Sequence, residues 1–267
     1  MSAPVFSIIT VTYNAERTLP ATLASILAQK YQHIEFILID GNSKDRTFAL
    51  AQELEPQLRE HCTAGVKLQS EPDKGLYDAM NKGLHQATGD YLIFLNAGDR
   101  FHSVQTLREA ADQVMEESPR PDLLYGQTNI VDATGKYLRP RHYRAPDTLT
   151  SHSFLQGMLV CHQAFWPSRP LCEGKVGNLR KKAEGQWIDY DLQYRYSADY
   201  DWCIRLLSFS RYNYYTRDTL IDYLDEGLTT QNHRASLRER FRIMAKHYGR
   251  GAAIASHLRI VLRRIFH

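Results

Sequence analysis

Acidic and amide side chains follow several apolar runs in the first hundred residues, at the points where predicted strands end. Asp40 and Asp45 follow one run, and Asp99 follows another. Residues 12–14 (Thr-Tyr-Asn) stand at the end of the first run in the chain. The carboxyl ends of parallel strands meet at one edge of a sheet, so these groups should lie together. A nucleotide bound there needs an acceptor for its base or ribose and a divalent ion on its diphosphate. The set predicts a nucleotide site, although a single Asp after a strand is more often a turn former or helix cap.

The surrounding pattern alternates short apolar strands with amphipathic helices. Runs at Phe6–Val11, Glu35–Ile39 and Tyr91–Leu95 are rich in β-branched and aromatic residues, with a fourth short strand expected at Lys67–Ser70. Between them, apolar residues recur at three- and four-residue spacing, as after Asn14, after Asp45 and from Leu76 to Ala87. Repeated strand–helix units with buried strands predict an α/β fold with a mostly parallel central sheet.

The second half of the chain is less regular. Strands are expected at 122–128 and 129–137, a charged loop at 179–185 and a helix at 200–209. Neither a repeat nor a low-complexity linker interrupts this region. We therefore predict one domain over residues 1–224, followed by a helical extension over 225–267.

Composition excludes several protein classes. Hydrophobic residues make up 43% and charged residues 24% of the 267 residues, with 15 Gly and 10 Pro, which is ordinary for a globular protein and excludes disordered and collagen-like chains. No run approaches the roughly 20 apolar residues of a membrane span, and no signal-peptide pattern opens the chain, so we expect a cytoplasmic protein. The four cysteines form no CxxC pair, which favours reduced thiols over a disulfide framework or zinc site.

Phosphate-binding glycine loops are missing. The first strand is not followed by GxGxxG, and GxxxxGK[ST] occurs nowhere. A diphosphate must then be held in another way. The remaining option is a hard metal ion bound by carboxylate and amide oxygens, with Lys74 or Lys82 adding positive charge.

Four ordered blocks resemble those of family 2 glycosyltransferases. They lie at residues 7–14 (SIITVTYN), 36–45 (FILIDGNSKD), 70–83 (SEPDKGLYDAMNKG) and 87–99 (ATGDYLIFLNAGD), and the match returns at 162–163 and 194–205. The resemblance implies the GT-A fold, with a nucleotide-sugar-binding half at 1–100 and an acceptor half at 101–224. It also implies inverting transfer from a nucleoside diphosphate sugar, most commonly a UDP sugar.

The resemblance assigns the donor site and its metal. Asp99 is the last carboxylate of the metal motif and implies Mn²⁺ or Mg²⁺, but Asn96 and Gly98 stand where many members carry Asp. Tight metal binding should therefore need the diphosphate. This Asn-x-Gly-Asp form resembles the subset that builds bacterial exopolysaccharide and O-antigen, of the colanic-acid type. The implied donor contacts are Thr12, Tyr13 and Asn14 beside base and ribose, Asp40 accepting from the base, Asp73, Lys74 and Gly75 closing over the nucleotide, and Asn81, Lys82 and Asn96 near the diphosphate.

The resemblance also places the catalytic base at Asp199, with Ala198 replacing the family's Glu. An inverting transfer needs one carboxylate to take the acceptor's proton. Asp201 is the other candidate, but two residues further along a helix it points about 200° away, so we expect a surface or capping acid paired with Arg205.

Four further side chains are candidates for the acceptor site. His162 and Gln163 match the floor of that site in the family, although a His after a strand is often structural. Trp187 could stack on a sugar ring or pack in the core, and the same alternatives hold for Trp202.

The tail is basic and amphipathic. From Arg234 onward it has nine Lys and Arg against one acid, Glu239, whereas the whole chain is only +3. Such a helix could lie on an anionic membrane at the inner face of the cytoplasmic membrane, or dock on the protein itself. Nucleic acid is the poorer interpretation, because no RNA-binding motif or aromatic interleaving accompanies the charge. The apolar stripe consists of Ile254, Leu258, Val261, Leu262 and Ile265.

These features predict an inverting glycosyltransferase that adds a sugar to a saccharide or lipid-linked saccharide in bacterial surface polysaccharide synthesis. A nucleotidyltransferase is one alternative, but it would usually carry a Gly-rich basic loop, and Thr12–Pro20 contains no Gly. The other alternative is a noncatalytic nucleotide-sugar-binding or scaffold protein that has lost activity through the changes at 96, 98 and 198.

Overall fold

The computed structural model describes residues 2–176, 186–225 and 233–265. The charged loop expected at 179–185 lies outside these ranges. The α/β class predicted from the sequence is confirmed, with two sheets and flanking helices.

The first sheet is parallel throughout and has the strand order β3-β2-β1-β4. Every residue of β1 and β2 is buried, as expected for strands covered on both faces. The register pairs Thr12 with Asp40 and Asp40 with Ser70, so the last residues of three strands form one row at the sheet edge. The strands are β1 (Phe6–Thr12), β2 (Ile34–Asp40), β3 (Gly65–Ser70) and β4 (Tyr91–Phe94).

Four helices accompany this sheet, and α3 packs directly on β1 and β2. Gly83 allows that close approach, because a Cβ there would lie 2.4 Å from Cγ2 of Ile9. The amino-terminal end of α3 is thereby held near the row of strand ends. The helices are α1 (Leu19–Leu27), α2 (Thr47–His61), α3 (Leu76–Gln86) and α4 (Thr106–Glu116).

The second sheet has the order β5-β9-β6-β7, with β8 pairing β6 on one side. Strands β6 and β9 run parallel, and the other pairs are antiparallel. The predicted break after Thr128 is wrong, because β6 is one strand whose irregularity lies around Gly126. There a Cβ would approach Leu220 to 2.6 Å, so the strand kinks instead of ending. The strands are β5 (Arg100–Phe101), β6 (Leu123–Val131), β7 (Tyr137–Pro140), β8 (Phe165–Pro167) and β9 (Asn213–Leu224).

The remaining described helices form the carboxyl-terminal part of the molecule. A bridge between Tyr91 and Ser168 joins the two sheets, and α6 with two 3-10 turns leads back to the strand ends. The helix predicted at 200–209 is confirmed as α6. These elements are the 3-10 turns Ser151–Gln156 and His162–Ala164, then α5 (Arg169–Cys172), α6 (Ala198–Phe209), α7 (His233–Tyr248) and α8 (Arg250–Ile265).

A buried ion cluster joins α6 to α7. Asp201 is fully buried, accepts from Nε of Arg205 at 2.5 Å, and lies 3.1 Å from Nζ of Lys246 and 2.8 Å from Nε2 of His247. The expectation of a surface or capping acid is wrong, because α7 covers this face of α6, while the expected pair with Arg205 is confirmed. Burial alone would raise the pKa of Asp201, but the His247 hydrogen bond and the Arg205 and Lys246 charges hold it well below its usual range.

The carboxyl-terminal helices pack on the body by one face only. Glu239 accepts from the backbone N–H groups of Arg195 and Tyr196 at 2.9 and 2.8 Å. In α8, Ser256 donates to the carbonyl of Leu155, whereas Ile254 and Leu258 are 51% and 59% exposed. The extension therefore docks on the protein and still presents the start of its apolar stripe to solvent.

None of the helices in the described part of the chain is long and apolar enough to cross a membrane. None of the four cysteines is in a disulfide, which confirms the expectation of reduced thiols.

We expect Asp201→Asn to lower the free energy of unfolding by about 3 kcal/mol at pH 7, because the change removes a buried charge from two cationic partners, Arg205 and Lys246, and from the ring of His247. Urea unfolding measures the loss. The matched control is Asp147→Asn, whose pair with Arg217 has side chains 74% and 73% exposed and should contribute less than about 0.5 kcal/mol.

The difference in unfolding free energy between the wild type and Asp201→Asn should also depend on pH. Because the folded chain lowers the pKa of Asp201, its stabilisation is complete above the ordinary value of 3.8 and is lost as pH falls below it. A wild-type minus Asp201→Asn difference that stays constant from pH 7 to pH 3 would contradict this assignment.

Candidate functional site

The row of strand ends is organised around the carboxylate of Asp40. Thr12 Oγ1 and Ser70 Oγ donate to it at 3.0 and 2.6 Å, and the backbone N–H of Ser43 donates at 2.9 Å. The residue is fully buried, so its oxygens are already shared among groups of this sheet edge. In this arrangement Asp40 fixes the loops after three strands in place, and its assigned contact with the base stays a prediction.

Above this row lies an exposed surface built from two loops. A Cβ on Gly41 would lie 2.4 Å from Oδ2 of Asp73 and 3.4 Å from Cδ2 of Tyr13, so both side chains pack against this glycine. Tyr13 is 64% exposed. Asn14, with a φ of 49°, accepts from the Lys44 N–H at 2.8 Å and so ties the β1 and β2 loops together. A ring with an open face beside a carboxylate suits a nucleoside.

The start of α3 continues that surface. Gly75 has a φ of 114° and donates its N–H to Asp73 at 2.7 Å, and the Lys74 N–H donates to Asp78 at 3.0 Å. Positive φ favours glycine here. The predicted residues Asp73, Lys74 and Gly75 therefore lie together beside Tyr13 and Gly41.

Two predicted donor contacts are occupied by other partners. The Asn81 amide donates to the carbonyl of Tyr190 at 2.9 Å and accepts the Tyr190 N–H at 2.7 Å. Lys82 lies 2.6 Å from Glu71 and donates to the carbonyl of Pro72 at 2.9 Å. In this structure Asn81 holds the segment before α6, and Lys82 closes the loop before α3.

The predicted metal residue Asp99 is buried beside the acceptor candidates. Its carboxylate accepts from Nε2 of Gln163 at 2.8 Å and from the Leu224 N–H at 3.0 Å. Burial raises its pKa to about 6, against the opposing hydrogen bonds and the neighbouring His162. The nearby Asn96 has a buried Oδ1 with no hydrogen-bond partner among the described residues.

Asp199 lies at the meeting point of several elements. Its Oδ1 accepts from Tyr77 of α3 at 3.1 Å and from the Tyr200 N–H at 2.9 Å, while Oδ2 lies 3.5 Å from Nδ1 of His162. The other ring nitrogen of His162 is 3.4 Å from Nδ2 of Asn96. With the proton on Nδ1, the ring points a donor at Asp199 and accepts from Asn96.

Asp199 is ionised at neutral pH. Burial alone would raise its pKa, but the hydrogen bond and charge of His162, the Arg240 charge and the Tyr200 N–H together lower it. A carboxylate in this form can accept a proton and cannot donate one. Oδ1 carries the positioning hydrogen bonds, which leaves Oδ2 as the less encumbered oxygen.

A cavity of about 170 Å³ opens beside this carboxylate. This is below the roughly 300–1,000 Å³ of a complete small-molecule pocket, so it fits part of a ligand. Its walls come from the second sheet, the turns before β8, α6 and α7. The polar side chains that line it are Arg141, His162, Gln163, Asp199, Tyr223 and Arg240.

The structure brings some acceptor candidates to this cavity and not others. His162 and Gln163 line it together with Asp199. Asp201 belongs to the cluster between α6 and α7, as the 200° helical offset predicts. Trp187 stacks on His85 near the end of α3, with ring centroids 5.4 Å apart, and Trp202 is fully buried against Tyr190.

Four residues of the site were not predicted from the sequence: Tyr77, Arg141, Tyr223 and Arg240. A signal existed for Arg240, because it follows buried Ser236 by four residues and precedes buried Ile243 by three, which places it on the inner face of α7. The sequence around Tyr77, Arg141 and Tyr223 shows no comparable pattern.

No cluster of three or more His, Cys, Asp or Glu side chains suited to a metal occurs within residues 2–176, 186–225 and 233–265. Of the residues predicted to hold the metal, the described part of the chain offers the carboxylate of Asp99 and the buried amide oxygen of Asn96. Such a set fits Mg²⁺ or Mn²⁺ only where phosphate oxygens and water complete the coordination.

Comparison with known proteins supports the interpretation of these blocks. The family described as Glycosyl transferase family 2 matches residues 7–172. A PGL/p-HBAD biosynthesis glycosyltransferase of Mycobacterium bovis is 35% identical over 208 residues, which make up 78% of this chain and 72% of that protein. The amylovoran biosynthesis glycosyltransferase AmsB of Erwinia amylovora is 26% identical over 75% of this chain and 63% of AmsB.

Solved structures share the architecture at low sequence identity. S. aureus TarS 1–349 has a TM-score of 0.67 at 15% identity, covering 93% of this chain and 68% of that one. The mannosyltransferase PcManGT from Pyrobaculum calidifontis, in complex with GDP-Man and Mn²⁺, has a TM-score of 0.58 at 15% identity, covering 96% and 74%. The chain is a glycosyltransferase with a GT-A type fold and belongs to glycosyltransferase family 2.

Proposed function

We propose that this chain is an inverting glycosyltransferase that moves a sugar from a nucleoside diphosphate sugar to a hydroxyl of a saccharide or lipid-linked saccharide in bacterial surface polysaccharide synthesis. The observation that carries the proposal is Asp199, an ionised and partly buried carboxylate at the wall of a cavity. It is held by Tyr77 of α3, the Tyr200 N–H of α6 and His162 of a 3-10 turn. An inverting transfer needs one such base opposite the leaving group. The names of the relatives, which refer to PGL/p-HBAD and amylovoran biosynthesis, agree with a role in glycan assembly.

In this mechanism Asp199 removes the proton from the acceptor hydroxyl while that oxygen attacks the anomeric carbon. Tyr77 and the Tyr200 N–H hold Oδ1, so Oδ2 is directed toward the cavity side with His162. His162 positions the carboxylate and stabilises its charge. The proton ends on Oδ2 and leaves with product release, which restores the base.

The donor is proposed to lie over the strand ends of the first sheet. Tyr13 offers an exposed ring for the base, and Thr12, Asn14, Asp40, Asp73, Lys74 and Gly75 surround it. Solved neighbours support a nucleotide-sugar donor, because TarS is described in complex with UDP-GlcNAc and PcManGT in complex with GDP-Man. A UDP sugar is our first choice. Family membership favours glycosyl transfer over nucleotidyl transfer.

Asp99 and Asn96 are the residues that would hold a divalent ion together with the donor's diphosphate. The unpartnered Oδ1 of Asn96 and the buried carboxylate of Asp99 are hard oxygen donors of the kind these ions prefer. A bound Mn²⁺ or Mg²⁺ supplies positive charge that stabilises the departing diphosphate.

The α8 helix is proposed to rest on an anionic membrane, at the inner face of the cytoplasmic membrane, which suits a lipid-linked acceptor. Its Ala253 and Ser256 face the protein, whereas Ile254 and Leu258 are exposed to solvent, in a stretch of sequence rich in arginine. Apolar side chains flanked by cations are typical of helices that lie in a lipid interface.

Asp199→Asn should reduce turnover by roughly 100-fold or more and leave donor affinity near wild type, because only the proton acceptor is removed. Calorimetric donor binding and a transfer assay over a panel of UDP, GDP, dTDP and CDP sugars measure the two effects. Donor binding with wild-type turnover in this variant would eliminate Asp199 as the base. Donor binding without any transfer by the wild-type chain would instead support the noncatalytic scaffold.

Asp99→Ala should abolish the part of donor affinity that depends on metal, because it removes the only carboxylate we assign to the ion. The measurement is donor binding by the wild type and the variant, with Mn²⁺ or with a chelator. The wild type should lose affinity in chelator, and the variant should bind equally weakly in both. Equal donor binding by the wild type with and without metal would show that the assignment is wrong.

The double variant Ile254→Ser/Leu258→Ser should lower the affinity for vesicles of one-third anionic lipid, measured by cosedimentation, by about 30-fold, since each removed side chain contributes roughly 1 kcal/mol of interfacial burial. Stability should hardly change, because both side chains are exposed. The control Val104→Ser/Leu192→Ser alters side chains 44% and 48% exposed elsewhere on the surface. Equal vesicle binding by both double variants would argue against α8 as the membrane contact.

A further inference from the structure

The cavity beside Asp199 contains two arginines that the proposed mechanism does not use. Arg141 comes from the segment after β7, and Arg240 comes from the inner face of α7. They belong to chain segments a hundred residues apart, and both reach the same small space. Their convergence on a catalytic carboxylate needs an explanation.

Neither guanidinium forms a salt bridge within the part of the chain that the structure describes. Arg141 donates a hydrogen bond to the carbonyl of Leu159 at 3.3 Å, and the guanidinium of Arg240 lies 5.9 Å from the centroid of the Tyr200 ring. The Nε of Arg240 is buried and has no hydrogen-bond partner among those residues. A buried guanidinium nitrogen without an acceptor is costly unless a ligand supplies one.

The two guanidinium groups have unused donors that suit an oxyanion. Arg141 and Arg240 line the same space as Asp199, and the carboxylate of Asp99 lies behind the lining, 2.8 Å from Nε2 of Gln163. Neither carboxylate forms a salt bridge with either arginine within the described residues. The planar fork of arginine matches the oxygens of a phosphate or carboxylate group, and a cavity of about 170 Å³ has room for such a group.

The position of the cavity decides which substrate brings the anion. Its lining comes from β6, the segment after β7, the turn before β8, α6, β9 and α7, and it includes none of the strand-end residues proposed to hold the nucleotide. Asp40, Asp73 and Tyr13 belong to the other sheet edge. The arginines share their cavity with the acceptor candidates His162 and Gln163, and these two residues also contact Asn96 and Asp99, where the donor's diphosphate is proposed to lie. We place the arginines on the acceptor side, and the test below separates this placement from a contact with the diphosphate.

We propose that Arg141 and Arg240 bind an oxyanion, a phosphate or carboxylate group, that the acceptor carries close to its attacking hydroxyl. This inference rests on the proposed function, because it takes Asp199 as the base that this hydroxyl meets. It narrows the acceptor class to anionic saccharides, including a sugar attached to a lipid through phosphate. The arginines act in positioning and specificity and take no part in proton transfer.

The test uses inorganic phosphate as the probe and the full chain saturated with UDP and Mn²⁺, or with whichever nucleoside diphosphate binds. Phosphate should raise the melting temperature of the wild-type complex in a saturable way. Arg240→Gln and Arg141→Gln should each weaken the apparent phosphate affinity by about tenfold or more, the scale of one charge-assisted hydrogen bond. Arg240→Lys should retain part of the affinity.

The matched control is Arg242→Gln, which removes the same charge from the exposed side of α7. It should leave phosphate affinity unchanged, so that a general loss of positive charge on α7 cannot account for the result. Because Arg141 and Arg240 lie on different elements, misfolding of one variant does not remove the test. Circular dichroism and the melting temperature without phosphate identify such a variant.

Two results would overturn the proposal. One is that phosphate fails to stabilise the wild-type chain, with or without nucleotide. The other is that Arg240→Gln and Arg141→Gln weaken nucleoside diphosphate binding while phosphate does not bind the saturated complex, which would place the donor's diphosphate between the arginines. A chain that binds no nucleoside diphosphate would refute the proposed function instead, and phosphate binding to the free chain and its variants would still decide the anion site.

Discussion

A charged carboxylate inside a protein persists only where the surroundings compensate its lost hydration, and the second half of this molecule is arranged around that requirement at Asp199. Tyr77 reaches it from α3, His162 from a 3-10 turn, the Tyr200 N–H from α6, and Arg240 brings positive charge from α7. Each element that meets this carboxylate is fixed by contacts of its own. The parallel sheet positions α3, and the Asp201 cluster positions α7 on α6.

The departures from the family pattern have local physical causes. Gly98 has a φ of 104°, and a Cβ there would lie 2.7 Å from Cδ2 of Leu224. An Asp at this position would meet both backbone strain and a filled space. Ala198 is fully buried at the start of α6, where a Glu would need room and a partner. At Gly98 the backbone thus leaves no place for a carboxylate side chain.

The strands and helices of the first half could be predicted from the sequence because buried parallel strands produce continuous apolar runs that end in polar loops. The same logic grouped Thr12 with Asp40, and the family resemblance singled out Asp73 and Asp199. What the sequence could not show is which polar groups are already engaged. Asn81 binds the backbone of Tyr190, 109 positions away. Asp201 meets Lys246 and His247, 45 and 46 positions away. Arg240 was hard to identify from the sequence for a related reason. It lies among the arginines at positions 234–242, which resemble a solvated basic face of a helix.

The cavity beside Asp199 needs residues of α7 that are synthesised long after the first sheet. Proteins fold from the amino terminus as they are synthesised, and the first sheet with its strand-end surface comes entirely from the first hundred residues. Arg240 and the Glu239 contacts that cap the segment before α6 are added more than a hundred residues later. A nascent chain on the ribosome can therefore assemble the first sheet long before it completes the cavity beside Asp199. The cavity is complete only after α7 has left the exit tunnel, so translation products that end before α7 lack one of its walls.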